Sequence, residues 1–310
     1  MKKISIVVPC YNEEENVGLF YKDLVKSFTN SKYLIELLFI NDGSKDGTLK
    51  ELKKLVNNKK IDIMIINFSR NFGKEAAIYA GLKNATGDYI ALIDADMQQP
   101  PSLIIPMLNE IEKDNDIDIV AYYQESRIEN KLISFIKKIY YKIIKKITNL
   151  DFYENASDFR LMKRNVANTI ISLGESSRFT KGIFAWIGFN TKFLPYTPEK
   201  RKNGKSSWNI FKLFKYGING ILDFTKEIIL YPFKLGILNL MLSIIWFIIL
   251  LILKIPLNNS QYMYIYILFL NSTLLLSIGL NGNYIMRAYN DSRKRPIYIV
   301  KEIISNEKDN

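Results

Sequence analysis

Two carboxylates one residue apart, Asp94 and Asp96, close a short apolar run in the stretch Tyr89-Ile-Ala-Leu-Ile-Asp94-Ala-Asp96-Met-Gln98-Gln-Pro-Pro101. The run has the composition of a buried strand, and the paired prolines stop it from continuing. Residues i and i+2 of a strand point to the same side, so the two carboxylates can converge. Hard oxygen ligands on one edge, with open positions left over, suit Mg²⁺ or Mn²⁺ carrying substrate phosphates. An isolated Asp-x-Asp is also an ordinary acidic loop that caps the next helix.

Composition narrows the chemistry. The 310 residues include no histidine, which excludes histidine bases, histidine-containing triads and imidazole metal sites. Acid–base or metal chemistry must therefore rest on carboxylates and lysines. The one cysteine, Cys10, forms no intrachain disulfide and no cysteine-rich zinc site, and its place at a strand end reads as a buried structural thiol. A formal charge of +12 calls for an anionic partner: nucleic acid, anionic lipid or a phosphorylated substrate. The apolar run at the N-terminus is too short for a signal peptide and reads as a first strand.

The elements that must hold the acidic pair alternate. Strands are expected at about 3–8, 35–40, 62–67, 89–93 and 117–121, with helices at about 14–29, 45–57, 74–84 and 102–113 between them. That order implies an α/β fold with a mostly parallel sheet covered by helices on both faces. Ligands of such sheets bind outside the carboxyl ends of the strands. Four polar loops fall there: Val8-Pro9-Cys10-Tyr11-Asn12-Glu13-Glu14, Asn41-Asp42-Gly43-Ser44-Lys45-Asp46-Gly47-Thr48, Ser69-Arg70-Asn71-Phe72-Gly73-Lys74, and the acidic pair. Singly, Asn-Asp-Gly-Ser is a common turn and Lys74 a solvated helix start; four on one edge are hard to attribute to turns. No dinucleotide fingerprint or phosphate-binding P-loop is present.

The composition changes after about residue 230. Apolar segments at about 235–253 and 262–285 each have roughly the length that crosses a bilayer core. Their basic outer flanks, Lys226 and Lys234 before and Arg287, Arg293, Lys294 and Arg295 after, lead to the expectation of a two-helix transmembrane hairpin. On that reading residues 1–230 form a cytoplasmic domain, 231–288 the hairpin and 289–310 a cytoplasmic basic tail, in a multi-pass protein of the inner membrane. Segments 131–147 and 208–224 interleave lysines with apolar helix faces, the pattern of interfacial helices. Lysines placed beside apolar faces point to lipid and away from nucleic acid.

The loop sequences together resemble family 2 glycosyltransferases. The Asp-Ala-Asp-Met-Gln-Gln-Pro-Pro string is similar to that of the polyprenyl-phosphate branch, the bactoprenol glucosyltransferases and dolichol-phosphate mannose synthases. Ala156-Ser-Asp158-Phe-Arg160, Ser177-Arg178-Phe179 with Ala185-Trp186-Ile-Gly188, Arg201-Lys-Asn-Gly204-Lys-Ser206 and Arg293-Lys-Arg-Pro296-Ile-Tyr298 extend the likeness over nearly the whole chain. Ser207-Trp208 departs from the usual Lys-Tyr, and the absent Gln-x-x-Arg-Trp motif argues for transfer of a single sugar.

The resemblance implies a GT-A type nucleotide-sugar-binding domain that moves a hexose, glucose by default, from a nucleotide-diphosphate donor to a polyprenyl phosphate with inversion. Pro9, Tyr11, Glu13 and Asp42 would hold uracil and ribose, with Lys74 and Asp94 also facing the donor. Asp94, Asp96 and Gln98 would bind Mg²⁺ or Mn²⁺. Asp96 and Asp158 take the catalytic positions, Asp158 by orienting sugar or acceptor more than by deprotonating it. Arg127, Lys131, Ser134, Arg201, Lys205 and Ser206 would grip the acceptor phosphate. A homo-oligomer is compatible with the family. Another sugar, another acceptor and a catalytically silent lipid-binding adaptor are the competing readings.

Overall fold

In a computed structural model, which describes residues 1–29, 31–57, 61–124, 153, 156–173, 175, 178–196, 260–293 and 295–306, the chain forms two compact units. One comprises Met1–Gly217 and Pro296–Asn310, the other Ile218–Arg295.

The first unit is built on an eight-stranded sheet in the order β7-β5-β6-β4-β1-β2-β3-β8. Its strands are β1 (Lys3–Cys10), β2 (Leu34–Asn41), β3 (Asp62–Phe68), β4 (Tyr89–Leu92), β5 (Ile119–Gln124), β6 (Ala156–Lys163), β7 (Thr191–Tyr196) and β8 (Val300–Ser305). Helices α1 (Val17–Ser27), α2 (Thr48–Val56), α3 (Lys74–Asn84) and α4 (Ile104–Lys113) connect the first five strands. Helices α5 (Arg164–Ser172) and α6 (Thr180–Trp186) lie between β6 and β7.

β1 to β4 run parallel, as expected from the alternation. They are buried on both faces, which is why Ile, Val and Leu run on in them with little polar alternation. α1 turns Val17, Phe20, Tyr21 and Leu24 inward, a stripe at helical spacing. α3 instead packs small residues, and at Gly81 a Cβ would sit 2.2 Å from Val7 Cγ1, so glycine there permits the close approach to β1. Cys10 is buried, and burial pushes its thiol well above the ordinary range, in keeping with a structural role.

The periodicity did not reveal β6, β7 and β8. β5 does not follow β4 in the sheet; β6 lies between them, antiparallel to both. Part of the segment read as a basic tail forms β8, antiparallel to β3 at the sheet edge.

The second unit contains α7 (Ser260–Ser292), 33 residues long. The structure departs from the multi-pass expectation: among the described residues no helix is long and apolar enough to cross a membrane. α7 overlaps the second expected span, 262–285. The inner-membrane localisation rested on that hairpin and falls with it. The first expected span, 235–253, and the interfacial segments 131–147 and 208–224 lie outside the described residues.

A buried carboxylate ties the lower end of the sheet together. Glu36 of β2 is 5% exposed and receives Lys3 Nζ at 2.9 Å, Thr86 N at 2.9 Å and Thr86 Oγ1 at 2.6 Å, with Ser5 Oγ also donating. Burial alone would raise its pKa; the Lys3, Ser5 and Thr86 contacts outweigh that and hold it below the ordinary value. A folded-state value below the unfolded one stabilises fully above the unfolded pKa of about 4.3 and is lost as pH falls through the folded value. Glu36→Gln should therefore cost about 1–3 kcal/mol near neutral pH and flatten the loss of thermal stability below about pH 4.5, as read by circular dichroism.

Candidate active site

Strand register brings the first three polar loops side by side. The β1–β2 ladder ends at Cys10↔Asn41, and the β2–β3 ladder at Asn41↔Asn67. Asn12, at φ 57°, donates its N–H to Ser44 Oγ at 3.0 Å and accepts from Lys45 N at 2.9 Å. Glu13 N donates to Thr48 Oγ1 at 2.8 Å, and Glu14 accepts from Gly47 N at 2.6 Å. Loops one and two are thereby one structure.

Asp42 joins loop two to loop three. It is 3% exposed, and its carboxylate accepts from Phe72 N at 2.6 Å, Gly73 N at 2.9 Å and Asn71 Nδ2 at 2.9 Å. Burial raises its pKa against the lowering effect of those amides and of Arg70. The approach is tight: a Cβ on Gly43, which sits at φ 60°, would lie 2.3 Å from the Arg70 carbonyl carbon. Of the residues expected to hold a nucleoside, Tyr11 is 39% exposed, Pro9 lies within the β1–β2 ladder, and Glu13 accepts from Asn16 Nδ2 at 2.6 Å. The Asp42 bonds are internal to the loops, so it builds the site from within.

The acidic pair meets a third carboxylate. β4 and β6 pair through Leu92↔Arg160, and continuing that register by two residues sets Asp94 opposite Asp158. Lys74, the first residue of α3, donates at 2.8 Å to each of them. Burial pulls the Lys74 ammonium down, but the two carboxylates outweigh it and hold it well above its ordinary range. Asp158 is pushed up by burial, yet Lys74 and Lys181 hold it well below the usual carboxylate range. Asp94 lies above its ordinary value: burial and the neighbouring Asp158 and Asp96 prevail over Lys74.

Asp94, Asp96 and Gln98 are each partly exposed, alternating with the buried Ile93, Ala95 and Met97. All three thus reach the surface where the chain turns beyond β4. Asp96 Oδ1 accepts from Gln98 N at 3.1 Å. Among the described residues no three carboxylate or cysteine side chains gather as a self-sufficient metal cage. Two carboxylates and an amide oxygen with an open side do fit Mg²⁺ or Mn²⁺ of the kind that takes its remaining ligands from water and substrate phosphates.

Sequence spacing missed three residues. Lys181 lies 3.8 Å from Asp158 Oδ1 and donates to the Ala156 carbonyl at 3.1 Å. Glu75 places it, because its Oε2 accepts from both Thr180 N and Thr180 Oγ1 at the start of α6. Gln99 donates to Ser157 Oγ at 2.5 Å and Tyr196 OH at 2.7 Å, tying the segment after β4 to β6 and β7. No local pattern reports such contacts; Lys181 could have been flagged only by its nearness to the Arg178-Phe179 pair. Arg127, Lys131, Ser134, Arg201, Lys205 and Ser206 lie outside the described residues.

The sequence matches a known family. The sequence profile of glycosyl transferase family 2 matches residues 5–171. CsbB of Bacillus subtilis, named as a glycosyltransferase, is 41% identical over 305 residues, 96% of this chain and 91% of that one. The bactoprenol glucosyl transferase of Shigella phage SfV is 36% identical over 304 residues, 96% of this chain and 98% of that one. The crystal structure of glucosyl-3-phosphoglycerate synthase from Mycobacterium tuberculosis shares the fold at 15% identity and a TM-score of 0.51, covering 72% of this chain and 80% of that one.

Gly43→Ala should cost about 1–3 kcal/mol of stability through its positive φ and its clash with the 70–71 backbone. It should also raise the KM for the donor, because loop three moves with it. An unchanged KM in the folded variant would show that the three loops do not act as one unit.

Proposed function

The chain belongs to glycosyl transferase family 2, and we propose that it moves a single hexose, glucose by default, from a UDP-linked donor to a polyprenyl phosphate such as undecaprenyl phosphate. The observation that carries this reading is the Asp94–Lys74–Asp158 cluster beside Asp96, at the carboxyl edge of the parallel strands. The bactoprenol-named relatives, matched over nearly the whole chain, support the lipid-phosphate acceptor.

The donor enters over loops one to three, with Tyr11 and the loop edge formed by Glu13 and Asp42 against the nucleoside. Asp94, Asp96 and Gln98 would hold Mg²⁺ or Mn²⁺, which neutralises charge on the departing diphosphate. An ammonium has three donors; Lys74 spends two on Asp94 and Asp158 and turns the third to a phosphate oxygen of the donor. Asp158 stays ionised between Lys74 and Lys181 and orients the sugar and acceptor.

The acceptor needs no strong base. A phosphate monoester's second pKa is about 6, so its oxygen is already mostly ionised at neutral pH. That oxygen attacks the anomeric carbon from the face opposite the nucleotide, the bond to the diphosphate breaks, and the configuration inverts. Arg127, Lys131, Ser134, Arg201, Lys205 and Ser206 supply the charge-assisted contacts that hold the acceptor near an anionic donor.

The test follows radiolabelled sugar from a panel of nucleotide donors into undecaprenyl phosphate. Wild type should transfer from a UDP-hexose and lose activity in excess chelator. Asp96→Asn should fold normally and transfer at least about 10²-fold more slowly. Undiminished transfer by that variant, or by wild type in chelator, would overturn the metal-assisted reading.

A further inference from the structure

The C-terminal strand reaches the nucleotide loops through an unbroken line of hydrogen bonds. Glu302 of β8 accepts from Asn67 Nδ2 at 3.0 Å. Asn67 Oδ1 accepts from Asn41 Nδ2 at 2.8 Å, and Asn41 Oδ1 accepts from Ser44 Oγ at 2.5 Å. Ser44 Oγ in turn accepts from Asn12 N at 3.0 Å. Every donor in the line points the same way, toward the Glu302 carboxylate. Asn41 and Asn67 are buried, at 1% and 4% exposure, where an amide without partners is costly.

The same strand grips loop three directly. The Ile299 carbonyl accepts from Ser69 N at 3.0 Å, and the Tyr298 ring stacks on Phe68 with centroids 4.9 Å apart. Phe68 meets Phe72 edge-on at 5.8 Å, and Arg70 lies over the Phe72 ring at 4.1 Å. Phe72 is the residue whose amide holds Asp42. Two independent routes therefore run from β8 to the loops that receive the donor.

We propose that β8 is a brace for the nucleotide-sugar site and that Glu302 is a positioning residue acting through Asn67, Asn41 and Ser44 on the Asn12 loop. The proposal rests on the donor site described above. Its consequence is that the donor pocket is complete only when the segment following the second unit has returned to the sheet. Glu302 touches no substrate; it sets the amide orientation of Asn67, and each amide then fixes the next.

Lys53 gives a matched control, since it pairs with the Glu302 carboxylate at 3.2 Å but is not in the line. The full chain is compared as wild type, Glu302→Ala, Glu302→Gln and Lys53→Ala, by calorimetric binding of UDP-glucose and by steady-state transfer. Glu302→Ala should weaken donor binding and raise donor KM about five- to tenfold, with kcat within about twofold of wild type. Glu302→Gln keeps an acceptor oxygen for Asn67 and should restore binding, and Lys53→Ala should bind as wild type. Donor affinity unchanged in Glu302→Ala, or an equal loss in Lys53→Ala, would overturn the brace. Failure of wild type to bind any nucleotide sugar would overturn the donor site itself, so the two failures are distinguishable.

Discussion

Asp94 lies two residues beyond β4 and Asp158 within β6, and extending their antiparallel register sets the two carboxylates face to face. Two carboxylates opposite one another on neighbouring strands repel, and at a half-buried sheet edge the repulsion is poorly screened. The Lys74 ammonium, at 2.8 Å from each, replaces that repulsion with two charge-assisted hydrogen bonds. Lys74 opens α3, so the same contact fixes where the helix starts and how loop three turns into it. Gly73, at φ 101°, makes that turn immediately before the helix.

Among the described residues, internal bonds tie the first three loops of the site together beside this ion cluster. Asp42 closes loop three from one side, Gly43 lets the backbones of loops two and three nearly touch, and β8 supports both from the sheet edge. Preorganisation of this kind suits the proposed transfer, because the Lys74 ammonium and the carboxylates it joins need not rearrange as charge moves. The chemistry also explains the composition: a phosphate nucleophile that ionises near neutrality makes a histidine base dispensable.

Sequence periodicity captured β1 to β5 and the four helices between them because each is a local pattern, the strands as apolar runs and the helices as the stretches between them. The four polar loops were legible for the same reason, each following directly on an apolar run. β6 was hidden by its neighbourhood and by its lack of alternation: Ala156-Ser-Asp-Phe-Arg-Leu-Met-Lys163 lies beyond a long basic stretch that reads as a surface helix. β8 alternates inner and outer residues as an edge strand does, but it follows Arg293 and Arg295 and pairs with a strand more than two hundred residues earlier. No local pattern reports so distant a partner.

Within the site, residue type was legible and connection was not. The acidic pair, Asp42, Lys74 and Asp158 stood out singly, whereas only the fold shows that one ammonium joins Asp94 to Asp158 and that Asp42 spends its oxygens on loop three. A double-mutant cycle on kcat/KM for sugar transfer, with Lys74→Met, Asp158→Asn and the pair, tests that connection most directly. If the ammonium and the carboxylate work as one unit, the double variant should be little worse than the worse single one, a coupling of about 1 kcal/mol or more. Losses that multiply, in variants that remain folded, would contradict it.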